Sequence, residues 1–455
     1  MRKFDLIIVG AGPAGISCAA KARQLGIGNL LLIDQGSHFS DRKCAVDGGK
    51  TCTNCVTCKV ISGFGGCLHY GDSVKLSSYP SGKFLYNKLK QTAYERISKE
   101  VLELFGIKNN FIETCIKSNV LDVKNYPICV LDSARVKRVI EKLYLDVSAE
   151  NTMLNTAVGG ISPKGTGYIV HCSHEGKEEE YFAQHLVIAT GRKGWQWWRQ
   201  ISRQLGVRQS PPITSFGLRF EAPISFLQEA GRLHPDLKLR IHHNGRKFKT
   251  FCFCAGEHGG RLKLQNHGSF ILLDGHLLTA SDPPSPFGNF AILTQLIDRN
   301  EEATKYSTIY EEVISKYLSL NIEHPGWPIY QSYAGFRDKS FCKKSRYISV
   351  QGACNAPVWK LFNEETHSAY CEVAESVFSF IKDQSFDNSR NYNDYIENIN
   401  VFALELENIW DRVEVDDHFM TSRQNLFVAG DCAGISQGVF QAAISGISVA
   451  YSIAL

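Results

Sequence analysis

The first hydrophobic run, Leu6–Val9, is short, unbroken and closed by glycine, the pattern of a strand buried on both faces. Small and apolar residues then continue to about Leu25 and predict a helix, and Leu30–Ile33 predicts a second buried strand ending at Asp34. Residues 81–107 carry apolar positions at helical spacing, and a second helix, basic in its first half, is expected over about 132–149. "NTMLNTAVGGI" (151–161) reads as the next core strand. "GYIVHCS" and "EEYFAQHLVIATG" read as a meander leading back into the sheet. "GRKGWQWWRQISRQLG" predicts an amphipathic helix anchored by its three tryptophans. From about 206 to 400 the pattern is mixed, with glycine-punctuated strands in "ITSFGLRFEAPI" and "KTFCFCAGEHGG" and helical spacing over 301–319 and 363–383. A last strand, Leu426–Ala429, precedes a long helix of small residues.

Strands alternating with helices at both ends of the chain, around a mixed middle, predict an α/β fold. The expectation is a discontinuous Rossmann-like dinucleotide-binding domain from residues 1–80, 151–205 and 400–455. A helical insert fills 81–150, and a mixed α+β substrate or cap domain fills 206–399. Composition changes this picture little. With 44% hydrophobic residues, 21% charged residues and a net charge of +4 over 455 residues, the chain is neither disordered nor built for nucleic acid or an acidic membrane. No stretch approaches the roughly 20 apolar residues of a membrane span, and a cytoplasmic location is expected.

The turn Gly10-Ala11-Gly12-Pro13-Ala14-Gly15 lies between the first strand and helix, and Asp34 follows Gly10 by 24 positions. In such a motif the first glycine permits the tight turn, the second lets backbone N–H groups approach a pyrophosphate, and the third lets the helix lie close to the strand. The helix presents its positive end to phosphate, and an acid placed like Asp34 accepts from ribose hydroxyls. Two distant segments add to this: Ala189-Thr190-Gly191 closing a strand, and Gly430-Asp431 followed by a loop and a helix starting at Gly438-Val439.

This set resembles the FAD-binding domain of the glutathione-reductase and hydroxylase flavoprotein superfamily. The resemblance implies FAD as cofactor, with Asp431 at the ribityl–pyrophosphate portion and the Gly438 helix aimed at the flavin, where its dipole stabilises charge on reduction. In order along most of the chain, "CAVDGGKTCTNCVTCKVISGFGGCLHYGDSVKLS", "HLVIATGRKGWQWW", "ITSFGLRFEAP", "KTFCFCAGEHGG" and "LFVAGDCAGISQGVFQAAISG" resemble the poorly characterised FAD-dependent (NAD(FAD)-utilising) dehydrogenases. That family's GGAGxFSDGKL stretch reads here Gly65-Gly66-Cys67-Leu68-His69-Tyr70-Gly71-Asp72, with Lys75-Leu76 displaced by one residue. Gly65 and Gly66 are expected to skirt the cofactor, and Ala157 and Val158 to lie near the adenine. His69, Tyr70, Asp72 and Lys75 are the candidate proton-handling groups, and Arg337 is a candidate for an anionic substrate.

Cys44, Cys52, Cys55 and Cys58 fall within fifteen positions. Two CxxC steps and a fourth thiol fit a tetrahedral zinc site or a [4Fe–4S] cluster. Cys55 and Cys58 alone fit a redox dithiol, and inert thiols are the remaining reading; spacing favours a metal. Cys252 and Cys254 alternate in "TFCFC" and are expected to pack in a core. No second GxGxxG follows a strand in the middle region. The expected function is that of an FAD-dependent dehydrogenase or reductase on a small organic substrate, with NAD(P)H or a protein as electron donor. A flavoprotein monooxygenase and a flavin- or metal-bearing redox sensor acting through a partner are the alternatives.

Overall fold

The computed structural model describes residues 1–296, 303–342, 347–384 and 392–455. Among the described residues two large sheets, of seven and eight strands, both contribute to the lining of one cleft. In the first sheet, Arg2–Val9 lies between Leu30–Ile33 and Lys177–Ile188, all parallel, and Leu426–Val428 pairs parallel with the end of Lys177–Ile188. Leu6–Val9, Leu30–Ile33, Leu186–Ile188 and Leu426–Val428 bury both faces where the strands meet, which is why those stretches are continuously apolar. The segment 151–161 does not form one strand. Thr152–Met153 extends the parallel sheet beside Leu30–Ile33, and Thr156–Lys164 begins an antiparallel meander with Gly167–His174. Asn155, at φ +52, makes the break.

The helix Pro13–Gln24 packs against the last helix, Val439–Ala454, so closely that a Cβ on Gly446 would sit 2.0 Å from the Ala14 carbonyl oxygen. The expected helical insert is Lys83–Phe105 and Ser133–Val147, the latter capped by the Asp132 carboxylate accepting from Arg135 N–H. Their apolar faces (Tyr94, Val101, Val136, Ile140) join the core of the first sheet.

The second sheet runs, in spatial order, Cys354–Asn355, Ile329–Ser332, Asn400–Glu407, Ser215–Pro223, Phe287–Gln295, Arg246–Cys254, Leu239–His243 and Asp122–Val123. Asn400–Glu407 therefore belongs to the second sheet, not to the first as expected from residue 400 onward. The return to the first sheet comes at Leu426. Asp122–Val123, from the expected insert, also joins the second sheet. A separate hairpin, Gly260–Asn266 with Ile271–Leu277, forms the wall nearest the first sheet. The helices expected over 301–319 and 363–383 are Ala303–Leu320 and Glu364–Gln384; residues 301 and 302 lie outside the described residues. The tryptophan segment is the helix Trp195–Gln204, with Trp195 and Trp198 buried. No helix among the described residues is long and apolar enough to cross a membrane.

Candidate functional site

The three glycine segments, separated by hundreds of residues, open into one cavity of about 300 Å³. Gly10, Gly12, Pro13, Ala14, Asp34, Gly66, Ala189, Thr190, Gly191, Gly430, Asp431, Gly438 and Val439 all line it. Ala11 and Gly15 stand behind this surface. A Cβ on Gly15 would meet the Gly10 carbonyl oxygen at 1.9 Å, whereas one on Gly12 would meet nothing within 4 Å. Gly66, at φ +53, brings its Cα position against Gly12, with Gly65 preceding it in the same left-handed region. A second cavity continues past Asp34 and is lined by Ala157, Val158 and Trp197, so one of the three tryptophans faces a pocket as well as packing on the core.

The cradle fits a dinucleotide cofactor on its own geometry. Both helices that start at the cavity, at Pro13 and Val439, have glycine N-caps, no side-chain cap and no acid in the first turn, which leaves their terminal N–H groups for a ligand. The Asp34 carboxylate accepts from the N–H groups of Ala11 (2.8 Å), Gly36 (2.7 Å) and Gly63 (2.8 Å), which keeps one of about four acceptor positions for a hydroxyl. Asp431 is buried, which pushes its carboxyl up against the opposing pull of Arg192, 3.2 Å away. Arg192 was not evident from the sequence, although it follows directly on Gly191.

The cysteine loop is organised by arginine rather than by sulfur. Arg42, 2% exposed, donates to the carbonyls of Lys59, Val60, Phe64 and Gly66. Burial lowers the guanidinium pKa to about 10, and the group stays charged. No three of the Cys44, Cys52, Cys55 and Cys58 sulfurs lie within 4.8 Å of one another, so they are not gathered around a single ion. Instead it reaches the second module, where Asn266 donates to the Cys55 carbonyl at 2.9 Å and Cys52 packs against the hairpin core. Asp47, His69 and Asp72 do converge, but Arg261 (3.2 Å to each carboxylate) and Lys263 bridge the two acids and supply the positive charge a metal ion would bring.

Three of the four proton-handling candidates line the cavity; Tyr70 does not. Its hydroxyl donates to Glu141 at 2.8 Å, and its ring packs on Phe39, outside the cleft. His69 Nδ1 lies 2.9 Å from Asp72, and its Nε2 is fixed by the Arg42 carbonyl at 3.0 Å. Burial pushes the Asp72 carboxyl up, but His69 and Lys263 outweigh it and hold the acid well below the usual carboxylate range. Lys75 is buried, which alone would favour the neutral amine; Asp236 and the thiols of Cys252 and Cys254 reverse this and raise it. Across the cavity stand Cys252, Asp274 and His276, which local motif reading had not marked as site residues. Burial lowers His276 to about 4, so it is neutral near pH 7. Arg337 pairs with Asp338 at 2.8 Å and does not line the cavity. Among the described residues the second sheet is antiparallel apart from Ile329–Ser332 with Cys354–Asn355, and it contains no second dinucleotide βαβ unit.

Residues 4–199 match the family model described as Pyridine nucleotide-disulphide oxidoreductase. No curated protein matches the chain. Among solved structures, the chain is similar over 100% of its length to aklavinone-11 hydroxylase in a ternary complex with FAD and aklavinone (62% of that chain, 11% identity, TM-score 0.43). The same holds for CmlS, a flavin-dependent halogenase (100% of this chain, 58% of that one, 13% identity, TM-score 0.43). CtdE in complex with FAD and substrate 4 gives 100% and 81% coverage, 11% identity and a TM-score of 0.40. The chain spans about three fifths of the length of the hydroxylase and the halogenase. With residues 4–199 similar to the pyridine nucleotide-disulphide oxidoreductases, the chain carries the Rossmann-like FAD-binding fold of FAD-dependent oxidoreductases.

Proposed function

We propose that the protein is an FAD-dependent dehydrogenase or reductase that acts on a small organic substrate held between its two modules. One observation carries this reading: a single cavity is lined on one side by Gly12, Gly66, Asp431 and Gly438 and on the other by Phe251, Lys263, Gln265, Asp274 and His276. A dinucleotide cradle that opens onto a polar wall from another module is the arrangement needed to set a substrate against a cofactor. FAD supplies two-electron chemistry to such a site when bound.

The chain's own residues bind, orient and shield. The helix starts at Pro13 and Val439 receive negative charge, Asp34 receives a hydroxyl, and Phe251 and Leu277 exclude water from the inner end. Lys75 and Lys263 are paired with Asp236 and Asp72, so the wall offers a substrate polar groups of both signs. Neutral His276 can accept a proton at its imidazole, and Asp72, held ionised at 3.6 Å from Nε2, stabilises the imidazolium that results.

The test is direct. The purified full chain is denatured, released flavin is quantified and identified by mass, and zinc and iron are measured on the same sample. One FAD per chain with neither metal in stoichiometric amount is expected. A chain that neither contains nor takes up FAD ends the proposal.

A further inference from the structure

The cleft wall carries a pair of sulfurs that belongs to neither the nucleotide cradle nor the cysteine loop. In a regular strand, residues two apart place their side chains on one face about 6.6 Å apart. Arg246–Cys254 departs from this. Its register against Phe287–Gln295 shifts between Phe251 and Cys254, and Cys252 sits at φ +47. Such a bulge re-aims a side chain, and here it brings Cys252 Sγ to 3.7 Å from Cys254 Sγ. Cys252 lines the cleft together with Gly438 and Val439, and Cys254 is fully buried just behind it.

The surroundings treat the two sulfurs differently. Lys75 Nζ lies 3.3 Å from Cys254 Sγ and 3.8 Å from Cys252 Sγ. It is held in place by Asp236 at 3.2 Å and the Phe253 carbonyl at 2.9 Å. Cys252 Sγ faces the acceptors instead, with the Gly275 carbonyl at 3.3 Å and Asp274 Oδ1 at 3.6 Å. Burial raises Cys254, but the Cys252 thiol, Lys75 and Arg219 outweigh it and lower its pKa, while the bond to Cys254 and burial raise Cys252. The surroundings thus favour the charged form at Cys254 and the thiol at Cys252, an asymmetry suited to thiol–disulfide exchange. A structural pair of core cysteines needs neither a bulge nor a buried ammonium.

We propose that Cys252 and Cys254 form a second redox centre, a dithiol that closes to a disulfide on the wall of the cleft and exchanges two electrons with bound FAD. In the oxidising direction a bond forms between the two Sγ atoms and the Cys252 S–H bond breaks. The pair gives up two electrons and the Cys252 proton, the proton by way of Asp274 at 3.6 Å; FAD, when held in the cradle, would supply the acceptor for both electrons and take that proton with one more from solvent. The reverse step opens the disulfide. The centre rests on the FAD reading above and extends it from one redox group to two.

The experiment uses the full chain with FAD bound, oxidised with diamide, freed of the reagent and titrated anaerobically with dithionite. Flavin absorbance reports the cofactor. Alkylation with iodoacetamide under denaturing conditions, followed by peptide mass mapping, reports each thiol before and after. The expected result is an uptake of four electrons per chain, with Cys252 and Cys254 protected from alkylation only in the oxidised sample. Cys252→Ser should take up two electrons and keep its flavin spectrum. In a separate series that alkylates the reduced protein in its native state, Lys75→Met should move the pH at which the pair alkylates upward, a shift that loss of packing alone does not produce. Uptake of two electrons by the flavin-loaded wild type, with both sulfurs freely alkylated, overturns the dithiol and leaves the FAD reading intact. Uptake of four electrons with the disulfide mapped to other cysteines overturns it equally, and a chain that holds no flavin overturns both.

Discussion

Single residues divide here into those that shape the fold and those that only leave room. Gly15 and Gly446 are fixed by the protein's own backbone, since a Cβ at either would fall about 2 Å from a carbonyl oxygen. Gly12 is different: its backbone is extended at φ −83, and a Cβ there meets open space. Gly12→Val should therefore fold with an unchanged thermal midpoint and yet lose FAD affinity by about a hundredfold or more, since crowding a phosphate contact removes several kcal/mol of binding at about 1.4 kcal/mol per tenfold. Flavin content by absorbance and melting by circular dichroism separate the two effects; loss of the fold together with the flavin counts against the reading. Glu221 gives a second test. It is fully buried, with Ser349 as its donor, and burial pushes its carboxyl up to about 7. A raised carboxyl pKa stabilises the fold while the group is protonated. That contribution is complete below 4.5 and is lost as the pH rises to about 7. At about 1.4 kcal/mol per pH unit the loss is about 3 kcal/mol. Glu221→Gln, which stays neutral, should match the wild type near pH 4.5 and exceed it above pH 7. Parallel urea-unfolding curves across that range would show it, and a constant offset would contradict the burial argument.

Elements show where reading the chain stops. The first strand, its glycine turn, Asp34 and the last helix were legible because their chemistry is local: spacing within a few residues dictates the turn and the helix start. The cysteine loop is less legible for the opposite reason. Spacing along the chain brings out the four sulfurs, whereas the loop closes around Arg42, which no spacing singles out. Four carbonyl acceptors between residues 59 and 66 cannot be foreseen from an arginine at 42. The bulge at Cys252 is equally silent, since strict alternation predicts a core pair. Arg42→Met should leave those buried carbonyls without donors and destabilise the chain by about 3 kcal/mol. Arg42→Lys should recover little of this, because one ammonium cannot reproduce the planar fork. Denaturant midpoints test both; a lysine variant as stable as the wild type would show that charge alone holds the loop.

At the scale of the molecule, the site exists only where the two modules meet, and every contact that closes it spans a long stretch of sequence. Lys75 reaches Asp236 and Cys254, Asn266 reaches Cys55, and Arg261 reaches Asp72. Sequence patterns identify each side of the cleft but not their juxtaposition, which explains why Asp34 was found and His276 was not. It also has a thermodynamic consequence. A ligand that binds only the native cleft stabilises both modules together, by about 2.7 kcal/mol at a hundredfold excess over its Kd. With an unfolding entropy of about 2.1 cal/mol/K per residue, a chain of 455 residues should gain about 3 °C. Tryptophan fluorescence, to which Trp198 in the first core and Trp195 in the second both contribute, and the fluorescence of released flavin should then change at one temperature. In Gly12→Val, added FAD should leave the midpoint where it was. If flavin leaves the wild type well below the tryptophan transition and the midpoint ignores FAD, the cofactor is held by the first module alone and the second wall does not help to close its site.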